Sequence, residues 1–379
     1  MKSKNIFDHF SSITDFRQSG KIKHPLVNIV TITLCATLCG ADDWDAIEDY
    51  GHAKFEWLSS FLDMSNGVPS HDTISRVFSL LDPTEFQEKF ISWVQNIIKK
   101  LDANLVDNIQ PVVAVDGKTL RRSHDKKNSK TAIHMVNAWC TQNSLALGQL
   151  KTEKKSNEIT AVPQILALLD IKDKLVTADA MSCQKEIVKV CLKSEADYLI
   201  AVKNNQPNLF KEIKSHFHNK KDKIYKRPKI DFFRTEEKNR DRHEIRKCWI
   251  SPVINQLSMK DDWEGLKTIV CVENIRTLKK KTSIEKRYYI CSKNLSAEKT
   301  LHACRSHWQV ESFHWMLDMG FREDESRSRN ENLAENMAVI RQIALNALKL
   351  ETKTKRGIKR KRFNAGLSDE YLKELLMFV

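Results

Sequence analysis

The sequence predicts an α/β protein built from more than one unit, with a helical N-terminal portion, and three observations carry that prediction. Helical amphipathic periodicity runs from the N-terminus to about residue 105. From residue 111 short β-rich runs alternate with helical ones, the layer pattern of an α/β core. The length, 379 residues and 43.9 kDa, exceeds what one hydrophobic core usually serves, so two or three units are expected.

In the N-terminal portion the amphipathic segments fall around 26–40, 43–62, 70–81 and 83–101, with Asp82-Pro83 punctuating the last two. Residues 26–41, LVNIVTITLCATLCGA, are the most apolar stretch but fall short of the roughly 20 residues a bilayer span needs. A buried helix is expected there. Ser70 stands as a cap ahead of an Ile74, Val77, Phe78, Leu81 stripe. Both the last helix of a helix-turn-helix and an ordinary bundle helix fit it.

From residue 111 the strands are read in PVVAVDG, HMVNAWC, LALGQLK, KLVTADA and ADYLIAVK. The helices between them are SNEITAVPQILALLD, capped by Ser156 or Asn157, and CQKEIVKVCLKSE. After Pro207 a Lys-rich segment, about 211–240, precedes HEIRKCWI, LKTIVCVENI and KRYYICS, which read as strands of a β-rich insertion. A helical section from 297 to 351 follows, then KTKRGIKRKR, in which seven of ten residues are basic. No internal repeat is evident.

A hydrophobic content of 41% with only 10 Gly and 8 Pro excludes a largely disordered or collagen-like chain. A net charge of +14 and a pI near 9.2 favour a polyanionic partner, most commonly a phosphate backbone. The nine cysteines are scattered without a CxxC pair, as expected of reduced thiols in a cytosol. Cys35 and Cys39 stand at a metal-ligand spacing, but they lack a matching His or Cys pair and no zinc is assigned. The N-terminus mixes charges from the start and no signal-peptide apolar region follows, so the expectation is a cytoplasmic chain with no membrane partner.

Three acids stand out. Asp116 ends the apolar run VVAV just before Gly117, and Asp179 occupies the same situation in LVTADA. A lone carboxylate among small apolar residues is costly without a counter-ion, which a metal would supply. A turn or a helix cap also accounts for either aspartate taken alone. The third acid, Glu311, lies in CRSHWQVESFHWMLD, residues 304–318. On a single helix, positions 307, 311, 314, 315 and 318 share one face, carrying His, Glu, His, Trp and Asp. The polar outer face of a surface helix is the plainer alternative.

These residues carry a resemblance. AVDGKTLRRS, HMVNAW, LALGQLKTEKKSNEITAVPQILALLD, TADAMSCQKEI, ADYLIAVKNNQ and RSHWQVESFHWMLDMGFREDESRSR together resemble the H-repeat-associated branch of bacterial insertion-sequence transposases, within the wider DDE class, from about residue 7 to 350. The resemblance implies an RNase H-like mixed sheet, with the first two acids on neighbouring strands and the third on a helix. It implies a helical, DNA-binding N-terminal domain over 1–105, a catalytic core over 106–350 with a β-rich insertion at about 207–295, and a basic tail over 351–379. By the same resemblance Asp116, Asp179 and Glu311 form a catalytic triad holding two Mg²⁺ or Mn²⁺ ions for in-line displacement at phosphorus. The activity implied is cutting of element ends and their joining to target DNA. The partners implied are double-stranded DNA, as terminal repeats and target, and further copies of the chain in a homodimer or higher oligomer, in the bacterial cytoplasm at the nucleoid. Two rivals stand beside it: a metal-dependent nuclease that does not join strands, and an inactive DNA-binding relic of a mobile element.

Related DDE enzymes carry Tyr seven residues before the glutamate, Arg four before and Lys seven after; here those positions hold Cys304, His307 and Asp318. Arg305 is the candidate replacement for the phosphate contact, with His307 beside it. Other departures are Asn204, where Gly is usual, and Arg240-Asp241-Arg242, where His-Gly-Arg is common. Lys118 and Lys203 either neutralise phosphate or are simply solvated. Arg246 and Trp249 are candidates to contact backbone and an unpaired base, although a core strand Trp fits Trp249 better. The basic tail either tracks phosphates or serves as a solubilising end.

Overall fold

A computed structural model describes residues 6–102, 110–123, 132–152, 158–218, 230–279, 281–327 and 332–377. The expected cap at Ser156 or Asn157 lies outside the described residues. The N-terminal helices are α1 (Ile6–Phe10), α2 (Leu26–Cys39), α3 (Trp44–Ala53), α4 (Phe55–Ser59), α5 (His71–Leu80) and α6 (Pro83–Asp102). Their ends follow local chemistry. Gly40 closes α2 at φ 105°, a left-handed conformation suited to glycine. Asp43 caps α3 by accepting from the Ala46 N–H at 2.9 Å. Asp82 Oδ1 accepts from the Thr84 N–H at 2.8 Å, with Pro83 in the first helical position of α6. Ser70 caps α5, and Ile74, Val77 and Phe78 are buried. The connection 60–70 between α4 and α5 is far longer than the three- or four-residue turn of a helix-turn-helix, so α5 is a bundle helix here.

Among the described residues nine strands form one mixed sheet. β1 (Val112–Thr119), β2 (His134–Cys140) and β3 (Leu145–Thr152) are antiparallel neighbours. β4 (Leu175–Ala178) and β5 (Asp197–Val202) add to β1 in parallel. The parallel crossovers use α7 (Glu158–Leu168) and α8 (Lys185–Lys193). After α9 (Pro207–His218) come β6 (Asp231–Asn239), β7 (Arg242–Ser251), β8 (Thr268–Leu278) and β9 (Lys281–Cys291), an antiparallel meander. β9 pairs with β5, so the sheet order is 3-2-1-4-5-9-8-7-6 and the β-rich segment extends the main sheet. The Lys-rich segment contains part of α9 and β6, two elements that its composition hid.

The last helices are α10 (Ala297–His307), α11 (Gln309–Phe321), α12 (Leu333–Leu350), α13 (Ile358–Leu367) and α14 (Asp369–Met377). α10 crosses one face of the sheet, burying Val112, Leu175, Leu199, Ile250 and Val270 beneath Ala297 and Leu301. α12 is buried along almost its whole length against α2, α5, α6 and β3, so the N-terminal helices share one core with the sheet. The basic run at 353–362 leads into α13, whose Lys361 and Arg362 are buried. Lys361 Nζ donates to the Leu348 carbonyl at 2.8 Å, and Arg362 Nε to the Thr37 carbonyl at 2.9 Å. These cations cover the carbonyl ends of α12 and α2, where positive charge is favoured. Among the described residues no single helix is long and apolar enough to cross a membrane, and the apolar α2 is almost entirely buried. All nine cysteines are free, eight of them buried.

Candidate active site

The pairing of β1 with β4 aligns Val112 with Leu175 through Val115 with Ala178. One step further along this register, Asp116 and Asp179 stand side by side where the β1–β4 pairing ends, Asp116 inside β1 and Asp179 just past the last residue of β4, roughly 5 Å apart in backbone terms. Side-chain alternation then sends both toward the α10 face, since 112, 114 and 116 share one side, as do 175, 177 and 179. The Asp179 carboxylate also accepts from the Ser182 N–H at 3.2 Å, which holds the turn after β4.

The third acid arrives across that face. The 304–318 motif is two helices, not the single one expected: α10 ends at His307, Trp308 is the joint, and Glu311 lies in the first turn of α11. The N-terminal end of a helix favours a carboxylate there. Because of the break, the expected single face does not exist. His307 and His314 turn inward, while Trp315 is 63% exposed.

Asp116, Asp179 and Glu311 line one cleft of about 780 Å³ together with Lys203, Arg287 and His307. Burial, then the charge of Asp179, then those of Glu158 and Glu311, push Asp116 up to about 7, against the Gly117 N–H that lowers it. Glu311 is raised by burial and held back by Arg287. Burial drives His307 down to about 4 although Asp179 pulls the other way, so the imidazole is neutral near pH 7; its Nδ1 lies 3.1 Å from Thr177 Oγ1. Among the described residues no group of three or more His, Cys, Asp or Glu side chains is gathered closely enough to hold a metal ion as it stands. The donor chemistry nonetheless fits a hard divalent cation. The carboxylates are all-oxygen donors, and their mutual repulsion at Asp116 marks a set short of positive charge.

The other candidates divide. Lys203 and His307 line the cleft. Lys118 does not reach it: it is buried, with Nζ 2.5 Å from both Asp318 Oδ1 and Glu323 Oε2, tying β1 to the far end of α11. Burial alone would lower its pKa, but those two carboxylates outweigh it and raise the pKa, so the ammonium is spent inside the protein. Trp249 is buried on β7 with its ring 5.3 Å from Phe232, a core residue that no base can stack upon. Arg246 and Arg305 line a neighbouring groove of about 520 Å³, which shares Arg287 and Trp308 with the acid cleft. Both are paired with Glu237, at 3.2 and 2.8 Å, so Arg305 does not stand in for the missing motif arginine inside the cleft.

Three further residues belong to the site or lie against it, and of these the sequence singled out only His314, as part of a helix face. Arg287, in KRYYICS on β9, brings a guanidinium into the cleft and stacks 4.3 Å from the Trp308 ring. Glu158 lies buried beside His134 in the gap left by Gly117, where an added Cβ would strike both. His314 has Nδ1 3.7 Å from Asp116 Oδ2. Glu158 and His314 stood inside motifs already singled out, whereas nothing local marks Arg287.

Two acids on adjoining parallel strands and a third on a covering helix are the arrangement that the sequence resemblance led one to expect. The chain belongs to the transposase DDE-domain family: the profile described as "Transposase DDE domain" matches residues 107–347, and that of the region associated with it matches 7–94. The Escherichia coli O157:H7 protein named "Putative transposase YncI" is 42% identical over 381 residues, 99% of this chain and 95% of that protein. "H repeat-associated putative transposase YhhI" of Escherichia coli K12 is 40% identical over 382 residues, 99% and 98% of the two chains. Among solved structures, a piggyBac transposase synaptic complex with hairpin DNA aligns with a TM-score of 0.43 at 11% identity, covering 97% of this chain and 80% of that one.

Proposed function

We propose that the chain cuts the DNA ends of its own mobile element and joins them to target DNA, with Asp116, Asp179 and Glu311 as the catalytic carboxylates. The observation that carries this reading is the register of β1 and β4, which sets two acids side by side beneath a helix bearing the third. An RNase H-like core is the accompanying inference. It rests on the order 3-2-1-4-5, antiparallel through the first three strands and parallel from β1 to β5. Residues 207–295 are then the insertion, and residues 1–105 and the C-terminal helices pack around the core.

Divalent cations, two Mg²⁺ or Mn²⁺, would be held by the three carboxylates and would supply charge to activate the attacking oxygen and stabilise the leaving one. The chain's own residues do the rest. Arg287 and Lys203 offer fixed positive charge to the phosphate entering the cleft. Neutral His307 donates or accepts a hydrogen bond without adding charge. In the first step water attacks phosphorus, the bond to the 3′-oxygen breaks, and that oxygen takes a proton. In the second, the freed 3′-hydroxyl attacks a target phosphate and displaces another 3′-oxygen. Coupled reactions at two element ends call for a dimer or a larger assembly.

The direct test is incubation of the purified chain with Mg²⁺ and pre-cut DNA ends from its flanking repeats, with target plasmid present. Joined product is the expected result. Cutting of intact ends without joining would favour the nuclease reading, and neither activity with DNA binding intact would favour the relic.

A further inference from the structure

Behind Asp116 lies a row of buried amides. β-pairing aligns Asp116 with Asn137, and Asn137 with Gln149, so the three residues cross β1, β2 and β3 on one face of the sheet. Gln342 of α12 and His314 of α11 cover the row. Asn137, Gln149 and Gln342 are each at most 2% exposed, so the hydrogen bonds of their amides are made inside the protein; Gln342 spends both hydrogens of Nε2 there, while its Oε1 has no partner among the described residues.

The hydrogen bonds have a forced direction. The Glu335 main-chain carbonyl can only accept, so Gln149 turns its Nε2 toward it, at 3.0 Å. That leaves Gln149 Oε1 to accept from Gln342 Nε2 at 2.8 Å. The second hydrogen on the same nitrogen meets Asn137 Oδ1 at 2.9 Å. Asn137 therefore presents Nδ2 to His314 Nε2, at 3.4 Å. A donor facing Nε2 requires that nitrogen to accept, and the ring proton must sit on Nδ1. Nδ1 is the atom 3.7 Å from Asp116 Oδ2.

We propose that His314 is a positioning residue for Asp116, held as the Nδ1–H tautomer by a one-way chain of amides that begins at the Glu335 carbonyl, so that a hydrogen and not a lone pair faces the carboxylate. The inference rests on the reading of Asp116 as a catalytic acid. With the opposite tautomer a ring lone pair would point at an anion, and the carboxylate would turn away from the position beside Asp179. Partners behind a site's primary groups commonly contribute about 10- to 100-fold to activity or ion affinity.

The test uses full-length protein labelled with ¹⁵N-histidine, with the His314 signals identified by their loss in His314→Gln. Multiple-bond ¹H–¹⁵N spectra of the parent should give the Nδ1-protonated pattern for His314. In Asn137→Asp the acceptor presented to Nε2 should move a proton there. In Gln342→Met, a substitution of similar shape remote from the cleft, the single tautomer should give way to a mixture. Cleavage at saturating DNA should fall about tenfold in Gln342→Met, with KM for DNA unchanged. A parent already protonated only on Nε2, two variants that keep the parent pattern, or a Gln342→Met tautomer change with parental kcat would each overturn the proposal. Failure of the underlying reading looks different: Asp116→Asn would then cleave at the parental rate, whatever the histidine spectrum.

Discussion

Two carboxylates in this molecule sit in withdrawn positions and have opposite characters. Asp116, in β1 where its pairing with β4 stops, is pushed up to about 7 by burial and by the acids around it. Glu351, after α12, is held down to about 2: burial alone would raise it, but the Thr354 N–H at 2.7 Å, Lys361 at 3.1 Å and the Tyr371 hydroxyl at 2.9 Å outweigh burial. The second is a completed ion cluster that secures α13 and α14 against the body of the protein. The first is left short of positive charge, a condition that costs stability in the free protein and that a proton or a bound cation would relieve. The contrast separates a carboxylate whose partners are complete from one whose partners are not, the second being the kind that marks a candidate site.

Asp179→Asn breaks the cleft side of this comparison most severely. Cleavage of end DNA in Mg²⁺ should fall by at least about 10³-fold, the several kcal/mol of charge stabilisation that bound ions supply. Removing a charge that acts on Asp116 should leave the melting temperature equal or higher. A variant that cleaves normally, or melts several degrees lower, would make Asp179 a structural turn residue.

Glu351→Gln should do the reverse. One partner of a buried pair is lost, at a cost of about 3 kcal/mol at pH 7 in denaturant titrations, while cleavage by folded protein stays parental. Because the folded pKa of Glu351 lies below its ordinary 4.5, its contribution is fully present above pH 4.5 and fades as pH falls toward about 2. The acid arm of the stability profile should therefore be flatter in the variant across that window. An unchanged profile would remove Glu351 from the comparison.

Gly117→Ala sharpens the boundary between the two kinds of site. The new Cβ meets Glu158 and His134, so overpacking of about 1–3 kcal/mol is expected, together with a loss of cleavage as Asp116 shifts. Calorimetry and cleavage assays read the two effects separately; a variant unchanged in both would mean that the Glu158 and His134 side chains move aside freely.

The smallest effects divide the arginines. Arg287→Ala should lower the salt slope of DNA binding by about 1 and also slow cleavage at saturating DNA. Arg305→Ala should change only the salt slope, and its exposed pair with Glu237 should count for less than about 1 kcal/mol of stability. Equal cleavage rates in the two variants would remove Arg287 from the cleft chemistry.

Much of the fold was legible because it is local. The strand runs around Asp116 and Asp179, the cap at Ser70 and the Asp82-Pro83 start of α6 follow from side-chain preferences within a few residues. Two strand-end acids and an acid on a helix were likewise readable as one constellation. What sequence missed depended on distant partners. A basic run could not reveal that Lys361 and Arg362 are buried against the carbonyl ends of other helices. Lys118 resembled a phosphate contact until Asp318 and Glu323, some 200 residues onward, claimed it.

The sequence by itself determined most of the element types, α9 and β6 excepted, together with the family motifs and the candidate acids, since these depend on residue type and short-range periodicity. Tertiary structure alone decided the strand order that joins the β-rich segment to the main sheet, the break at Trp308 that turns His307 and Glu311 into a common cleft, and the arrival of Arg287 from β9. It alone decided the direction of the amide chain behind Asp116, because a hydrogen bond's donor and acceptor are fixed only when groups from β1, β2, β3, α11 and α12 meet. Pairing register and buried electrostatics are properties of contacts between remote segments, and no single segment encodes them.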